Sequence, residues 1–370
     1  MTHRPFFRQF ACLALLVFSP LLHAEEIPTS ALHALDGMAP EGRWAARLTL
    51  LRNSYTRRFD NTGHLTDLDT GYQGLDLSGF SLMPGGAPLA GAKLNLDTKI
   101  VTEYSELMFG YGLTKDLTLG AIIPYARTTN HVNYSVSNGA NAVLQGALTA
   151  GLGYKPLGTT ASAGFGDPTI GLLWRFHKGE RDSAIFGFGV RLGLARKDDP
   201  NNLLDVPPGD GSTDLRTRLE YFRDLGRGFD LRLLAEYQIQ LPDHVTLRPG
   251  NPLTTVATER LKRDLGDYWE FDVEVGKSFG NWRYSATWHR YQEGPDRYTS
   301  PNGTDTSFLS ANTDTLADQY RLAVTWSGIK EWQAGRLPLP LIIKLEMQDA
   351  FRGRNFVDVR DIYLRVTSFF

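Results

Sequence analysis

The stretch FVDVRDIYLRVTSFF, Phe356 to Phe370, closes the chain, and its reading decides the fold. Side chains of a strand point alternately to its two faces, so Ile362, Leu364, Val366 and Phe370 share one face, with Asp361 and Arg365 on the other. Two environments are compatible with such a strand. A soluble sandwich sets a core against water. A membrane barrel sets hydrocarbon outside against a polar lumen, and its closing strand characteristically ends on an aromatic residue. The rest of the chain decides between them.

The amino terminus points to export. Arg4 and Arg8 precede an apolar run from Phe10 to Leu22 that closes on His23-Ala24, the pattern of a secretory signal peptide spanning 1–24. The run is shorter than the roughly 20 residues that a spanning helix needs. The only cysteine, Cys12, lies inside it, so the mature chain is expected to carry no disulfide. No later segment is apolar enough for a spanning helix. Entry into a membrane would therefore be as strands, because only helices and closed barrels satisfy every backbone group in lipid. A formal net charge of −2 without a basic block gives no reason to expect nucleic acid as a partner.

Residues 25–42 read as a polar periplasmic lead-in, with Pro28 and Pro40, and residues 43–370 as the barrel. Alternation begins at Trp44, Ala46, Leu48 and Leu50 against Arg47 and Thr49. The clearest pair follows later. Phe229, Leu231, Leu233, Ala235, Tyr237 and Ile239 alternate with Asp230, Arg232, Glu236 and Gln238, and Trp269, Phe271, Val273 and Val275 alternate with Glu270, Asp272 and Glu274. Counted along the chain, twelve such strands emerge, the fifth carried through Leu192 and Leu194 and the eleventh beginning at Leu339. Turns after even-numbered strands are short and connections after the first five odd-numbered strands are long. Short periplasmic turns, long extracellular loops and an even count predict an all-β, antiparallel, up-and-down transmembrane barrel. Aromatics fall where interfacial girdles belong, with Trp44, Phe176, Phe229, Phe279, Trp282, Trp326 and Phe370 beside short turns or termini and Tyr125, Tyr237, Trp269 and Tyr320 towards the loops. One position resists. Alternation through Leu107, Phe109 and Tyr111 directs Glu103 towards lipid unless a bulge intervenes.

The inward faces then collect charge. The basic candidates for the lumen lining are Arg47, Arg175, Arg191, Arg216, Arg218, Arg232, Arg283, Arg321, Lys344 and Arg365. The acidic ones are Glu220, Glu236, Glu270, Asp272, Glu274, Glu346 and Asp361. They define either a wet path that orients a solute or a salt-bridged filling that holds the barrel in shape. Gly171, Gly187, Gly189 and Gly193 either thin one wall or make room for bulky neighbours. The apolar loop segments Ala87 to Leu94 and Ala140 to Leu157 read as an inward-folded constriction or plug, or as flexible outer loops. Loop acids, Asp60, Asp67 and Asp69 and then Asp198, Asp199, Asp205, Asp210 and Asp214, match no calcium-loop spacing and read as solvated surface charge, so no metal or other cofactor is expected. Neither His131 nor His289 has a serine placed as a nucleophile, so no catalytic residue is assigned.

Several segments carry a resemblance. Tyr111-Gly-Leu-Thr-Lys-Asp-Leu-Thr-Leu-Gly120 with Ile123-Pro124-Tyr125, then Gly164-Phe-Gly-Asp-Pro-Thr-Ile-Gly-Leu172, then Gly189-Val-Arg-Leu192 and Gly209-Asp-Gly-Ser-Thr-Asp214, are similar to the meta-pathway of phenol degradation family. Where that family often has Pro-Thr-Gly after the fifth strand, this chain has Gly193-Leu194-Ala195. The resemblance implies an outer-membrane channel or transporter that takes up small hydrophobic or aromatic molecules. The expected partners are outer-membrane lipid, a small solute and, through the strand ending in Phe370, the barrel-assembly machinery. A plugged structural or surface-interaction barrel and a lipid-acting enzyme are the rival readings.

Overall fold

The computed structural model describes residues 38–370; the expected signal peptide and the lead-in up to residue 37 lie outside the described residues. Twelve antiparallel strands close on themselves. They are β1 (Trp44–Tyr55), β2 (Lys93–Thr114), β3 (Leu117–Val136), β4 (Thr169–Lys178), β5 (Asp182–Arg191) and β6 (Asp214–Gly226), followed by β7 (Phe229–Gln240), β8 (Tyr268–Phe279), β9 (Trp282–Glu293), β10 (Thr315–Ser327), β11 (Leu341–Arg354) and β12 (Arg360–Phe369). Each pairs with the next, and β12 returns to β1 in a ladder from Ala45↔Phe369 to Arg52↔Ile362. Among the described residues no helix is long and apolar enough to cross a membrane.

Outward positions are apolar and exposed to the surroundings, among them Leu233, Val273, Val275, Leu322, Leu345 and Ile362. Inward positions on the same strands are buried and polar, among them Asp230, Asp272, Glu274, Arg283 and Glu346. The barrel is inside out by the standards of a water-soluble protein, as a hydrocarbon solvent requires.

Several expectations need correction. The closing strand runs Arg360–Phe369, while Phe356 and Val357 before it pair with Phe59 and Arg58 in a separate three-stranded ribbon. β5 ends at Arg191, because the Leu192 amide turns to the Pro168 carbonyl and Leu194 bonds back to Leu192. β11 starts at Leu341, two residues later than alternation suggests. No bulge rescues Glu103, since the β1–β2 register runs unbroken from Trp44↔Tyr111 to Tyr55↔Ile100. The residue does face outward, but beside Arg52 (Nε–Oε1 3.9 Å) and opposite Arg127, near the upper end of β1. The Arg52 partner offsets the outward charge of Glu103 at a height where β12 still presents Ile362.

β2 and β3 are 22 and 20 residues long, about twice the 9–11 needed to cross a bilayer. Their far halves project beyond the barrel and carry the largest apolar core of the described residues. Leu94 and Leu96 of β2 and Val132 and Val136 of β3 pack with Leu77, Phe80, Leu89, Leu144, Leu148, Leu152 and Tyr154 from the first two long loops. The short helix α1 (Asn141–Gly146) and the helical turn after it supply the leucines. The apolar loop segments are therefore not loose, since both pack into one core. They form a small water-facing subdomain. Since Leu94, Leu96, Val132 and Val136 continue the faces that lower down carry Thr102 and Thr128, the core sits on the lumen side of the projecting hairpin.

Candidate functional site

The middle of the lumen is filled by a network of ions. Asp272 on β8 accepts from Arg232 (3.1 Å), from Arg321 (3.1 Å) and from His289 Nδ1 (2.7 Å). Glu220 holds Arg232 (2.7 Å) and Arg218, and Glu274 holds Arg283 (2.6 Å), which reaches on to Asp230 (2.5 Å). Glu346 holds Lys344 (2.6 Å) and Arg365 (2.8 Å), and Arg47 approaches Glu106 (3.5 Å). Buried charges this dense persist only when paired, and arginine's forked donors suit several carboxylates at once. Glu220 is 1 % exposed and Arg283 2 %, whereas Arg218, Arg47 and Arg365 of the same layer stay partly open.

The other expected lining residues lie apart from this layer. Arg216 pairs with Glu236 (Nε–Oε1 3.0 Å) one step nearer the loops. Asp361 accepts from Asn53 (2.7 Å) and Gln348 (3.3 Å). Arg191 is at the rim, on Asp210 (2.5 Å) and Asp214. Arg175 is at the short-turn end, donating to the Lys115 carbonyl (3.0 Å). The glycines of the β4–β5 wall serve close packing: a Cβ at Gly187 would lie 3.0 Å from Leu173 Cδ2 and 3.3 Å from Arg218 Cβ, so both side chains lean over it. Gly193 lies beyond the strand, against the Gly211 carbonyl.

Below the ions, the short-turn end is apolar. Met38 packs on Ile185, Phe222 and Leu173, and Ala39 donates to Thr118 Oγ1 (3.0 Å). A Cβ at Gly112 would fall 2.1 Å from the Pro40 carbonyl oxygen, so only glycine lets the lead-in cross there. On the same end α2 (Ile329–Gln333) sets Ile329 against Ile342 and Phe369.

Above the ions, a cavity of about 480 Å³ opens among Glu270, His289, Tyr291, Glu293, Thr315, Gln319, Arg321, Gln348, Asn355, Phe356, Val357 and Tyr363. That volume suits a small organic molecule. Of the seventeen expected lining residues only Glu270 and Arg321 reach it. The remainder of its wall is His289, Glu293, Thr315, two phenols, three amides and the ribbon residues Phe356 and Val357. Inward parity was the available signal for Tyr291, Tyr363, Gln319 and Gln348; attention to charge alone passed over them. The side-chain nitrogen of Gln319 and Oδ1 of Asn355 are buried with no hydrogen-bond partner.

Most of the loop acids are engaged. Asp60 accepts from its own loop amides at Thr62 and His64, Asp199 pairs with Lys155 (2.6 Å) and Asp205 with Arg196 (2.5 Å). Burial pushes the Asp296 carboxyl up from its usual range. Asp167, in the Gly-Phe-Gly-Asp-Pro segment, is a staple: its buried carboxylate accepts the Ala195 amide (2.7 Å) and the Gly211 amide (3.0 Å), fixing the loop after β5 to the wall. Arg248 ties three loops together by donating to the carbonyls of Leu152 (2.8 Å) and Pro200 (3.0 Å) while its guanidinium stacks 3.8 Å over Tyr154.

A closed barrel of twelve antiparallel strands, apolar outside and ionic within, defines a transmembrane β-barrel of the outer-membrane type. Its sequence narrows this further. The chain belongs to the family described as "Putative MetA-pathway of phenol degradation", whose profile matches residues 84–326. An outer-membrane channel from Pseudomonas putida F1 is similar in structure, with a TM-score of 0.59 at 12% identity over 93% of this chain and 100% of that one. Looser likenesses are the translocator domain of the autotransporter NalP from Neisseria meningitidis (TM-score 0.41, 11% identity, 92% of each chain) and a mutant of the monoaromatic hydrocarbon channel TodX (0.39, 10%, 90% of this chain and 91% of that). The first likeness carries the fold, and the looser two carry no inference for this chain. No curated protein matches the sequence.

Proposed function

We propose that this protein is an outer-membrane channel for passive entry of small molecules, hydrophobic or aromatic ones included. The observation that carries the reading is a cavity at the long-loop end, seated on an ion-paired floor inside a closed barrel. A solute would be captured from outside and passed through the floor by local rearrangement of side chains. The seventeen inward charges are proposed as the lining of that route, with those of the floor as its constriction. Residues 1–24 are proposed as a cleaved signal peptide, 25–42 as a periplasmic lead-in and 43–370 as the barrel, with long loops outside. Assembly through the strand ending in Phe370 is part of the same proposal, as is the absence of catalysis.

The density of buried ion pairs also favours a second reading, a sealed structural barrel. Planar-bilayer recordings and solute-driven swelling of proteoliposomes separate the two. The channel reading expects small conductance steps and swelling above empty vesicles, with ion selectivity altered in Arg232→Ala. Silent bilayers together with unchanged swelling would sink it in favour of the sealed barrel.

A further inference from the structure

The cavity has more chemistry than its volume. Its two basic side chains are already spent: Arg321 bonds Asp272 (3.1 Å), and His289 bonds the same carboxylate (2.7 Å). Its acids are less committed. Glu270 makes no hydrogen bond or ion pair among the described residues, and its cross-strand neighbour Glu236 is neutralised by Arg216. Glu293 accepts only from the neutral donors Tyr291 (2.7 Å) and Gln240 (3.2 Å). One donor is left over. Gln319, 2 % exposed, has an unpartnered side-chain nitrogen while its oxygen accepts from Gln348 (3.1 Å). A buried polar group without a partner is costly, and a ligand that supplies one recovers that cost. Tyr291, Tyr363 and Phe356 offer ring surface beside these polar atoms.

We propose that the cavity selects by charge, taking neutral or cationic ring compounds and rejecting carboxylates, with Glu270 accepting the donor group of the ligand and Gln319 donating to an oxygen on it. A ligand ammonium or hydroxyl satisfies Glu270. A ligand carboxylate faces Glu270 and Glu293 with no unspent cation to hold it, and like charges brought together in a partly desolvated site repel strongly. Gln319 adds a second discrimination, because its N–H rewards a hydroxyl oxygen and offers nothing to an ammonium.

The inference deepens the channel reading and rests on it for its biological sense, but its test is binding and needs no conduction. Benzylamine, benzyl alcohol and benzoate share a ring and differ in charge. Titration calorimetry of the full chain in detergent should find the amine and the alcohol bound and benzoate unbound. In Glu270→Gln the amine should weaken about tenfold, the scale of a charge-assisted hydrogen bond. In Gln319→Leu the alcohol should weaken about fivefold, as for one neutral hydrogen bond, with the amine unchanged. Benzoate binding as tightly as benzylamine, an unaltered amine affinity in Glu270→Gln, or no binding of any of the three would each overturn the proposal. Swelling assays report separately on passage: ordered binding without flux would sink the channel and leave the charge selection standing.

Discussion

The lumen and the subdomain on the projecting β2–β3 hairpin lie on the same faces of the same strands, yet they are built by opposite rules. In the lumen, Thr102, Glu106 and Thr128 of these strands join Asp272, Glu274, Arg283 and Glu346 of the others in the interior, and the leucines face out. In the subdomain, Leu89, Leu144, Leu148 and Leu152 fill the interior and the polar residues face out. The backbone is continuous through both, so local conformation does not explain the switch. The solvent does. Where hydrocarbon bathes the outer face, apolar side chains gain nothing by turning inward, and the interior is left to groups that satisfy one another by charge. Beyond the membrane, water restores the usual ordering, and burying each leucine there contributes about 1.5–3 kcal/mol.

The contrast breaks most visibly at Asp272. In Asp272→Ala, Arg232, Arg321 and His289 lose their common acceptor, and stranding buried charge costs about 3–5 kcal/mol. Urea unfolding in lipid vesicles should show that loss across the whole barrel, and an unchanged midpoint would mean that the floor is solvated and not structural. Leu148→Ala tests the other region. A cavity in the loop core costs about 2–5 kcal/mol, but hydrogen exchange should rise only in residues packed there, with the barrel amides still protected. Exchange spreading through the barrel would merge the two regions into one cooperative unit. A third change probes the outer face: Val273→Arg, in the middle of β8, should cost about 2–4 kcal/mol in lipid if hydrocarbon covers it. The smallest effect is expected at Glu103→Gln. An exposed pair at 3.9 Å is worth well under about 1 kcal/mol, so a large loss there would place that carboxylate inside the membrane after all.

Much of the fold was legible from alternation alone. Strand count, parity, closure and the facing of nearly every staved residue follow from a period of two, because one buried polar face and one lipid face fix the register together. What was not legible has physical causes. Hairpin length was hidden because Leu94, Leu96, Val132 and Val136 keep the alternation while their partners change from lumen waters and ions to loop leucines, and periodicity does not name the partner. Nothing in the alternation places Phe356 and Val357, which pair with Phe59 and Arg58 and line the cavity. The site was legible as a class of inward charge, but its composition was not. Ion pairing draws most of the charges together into the floor, and uncharged Gln319, Tyr291 and Tyr363 join Glu270, Glu293 and Arg321 around the space above.

The seam between β1 and β12 carries one more consequence. Every other pair of staves is joined by a turn or loop and can zip up locally, whereas this ladder unites the two ends of the chain. Until the final strand arrives, β1 and β11 each present an open row of amides and carbonyls, and in lipid such a row has no water to satisfy it. Assembly must therefore keep an unfinished cylinder away from bare hydrocarbon until Arg360–Phe369 docks, which makes the pairing of this strand the step that commits the barrel to the membrane.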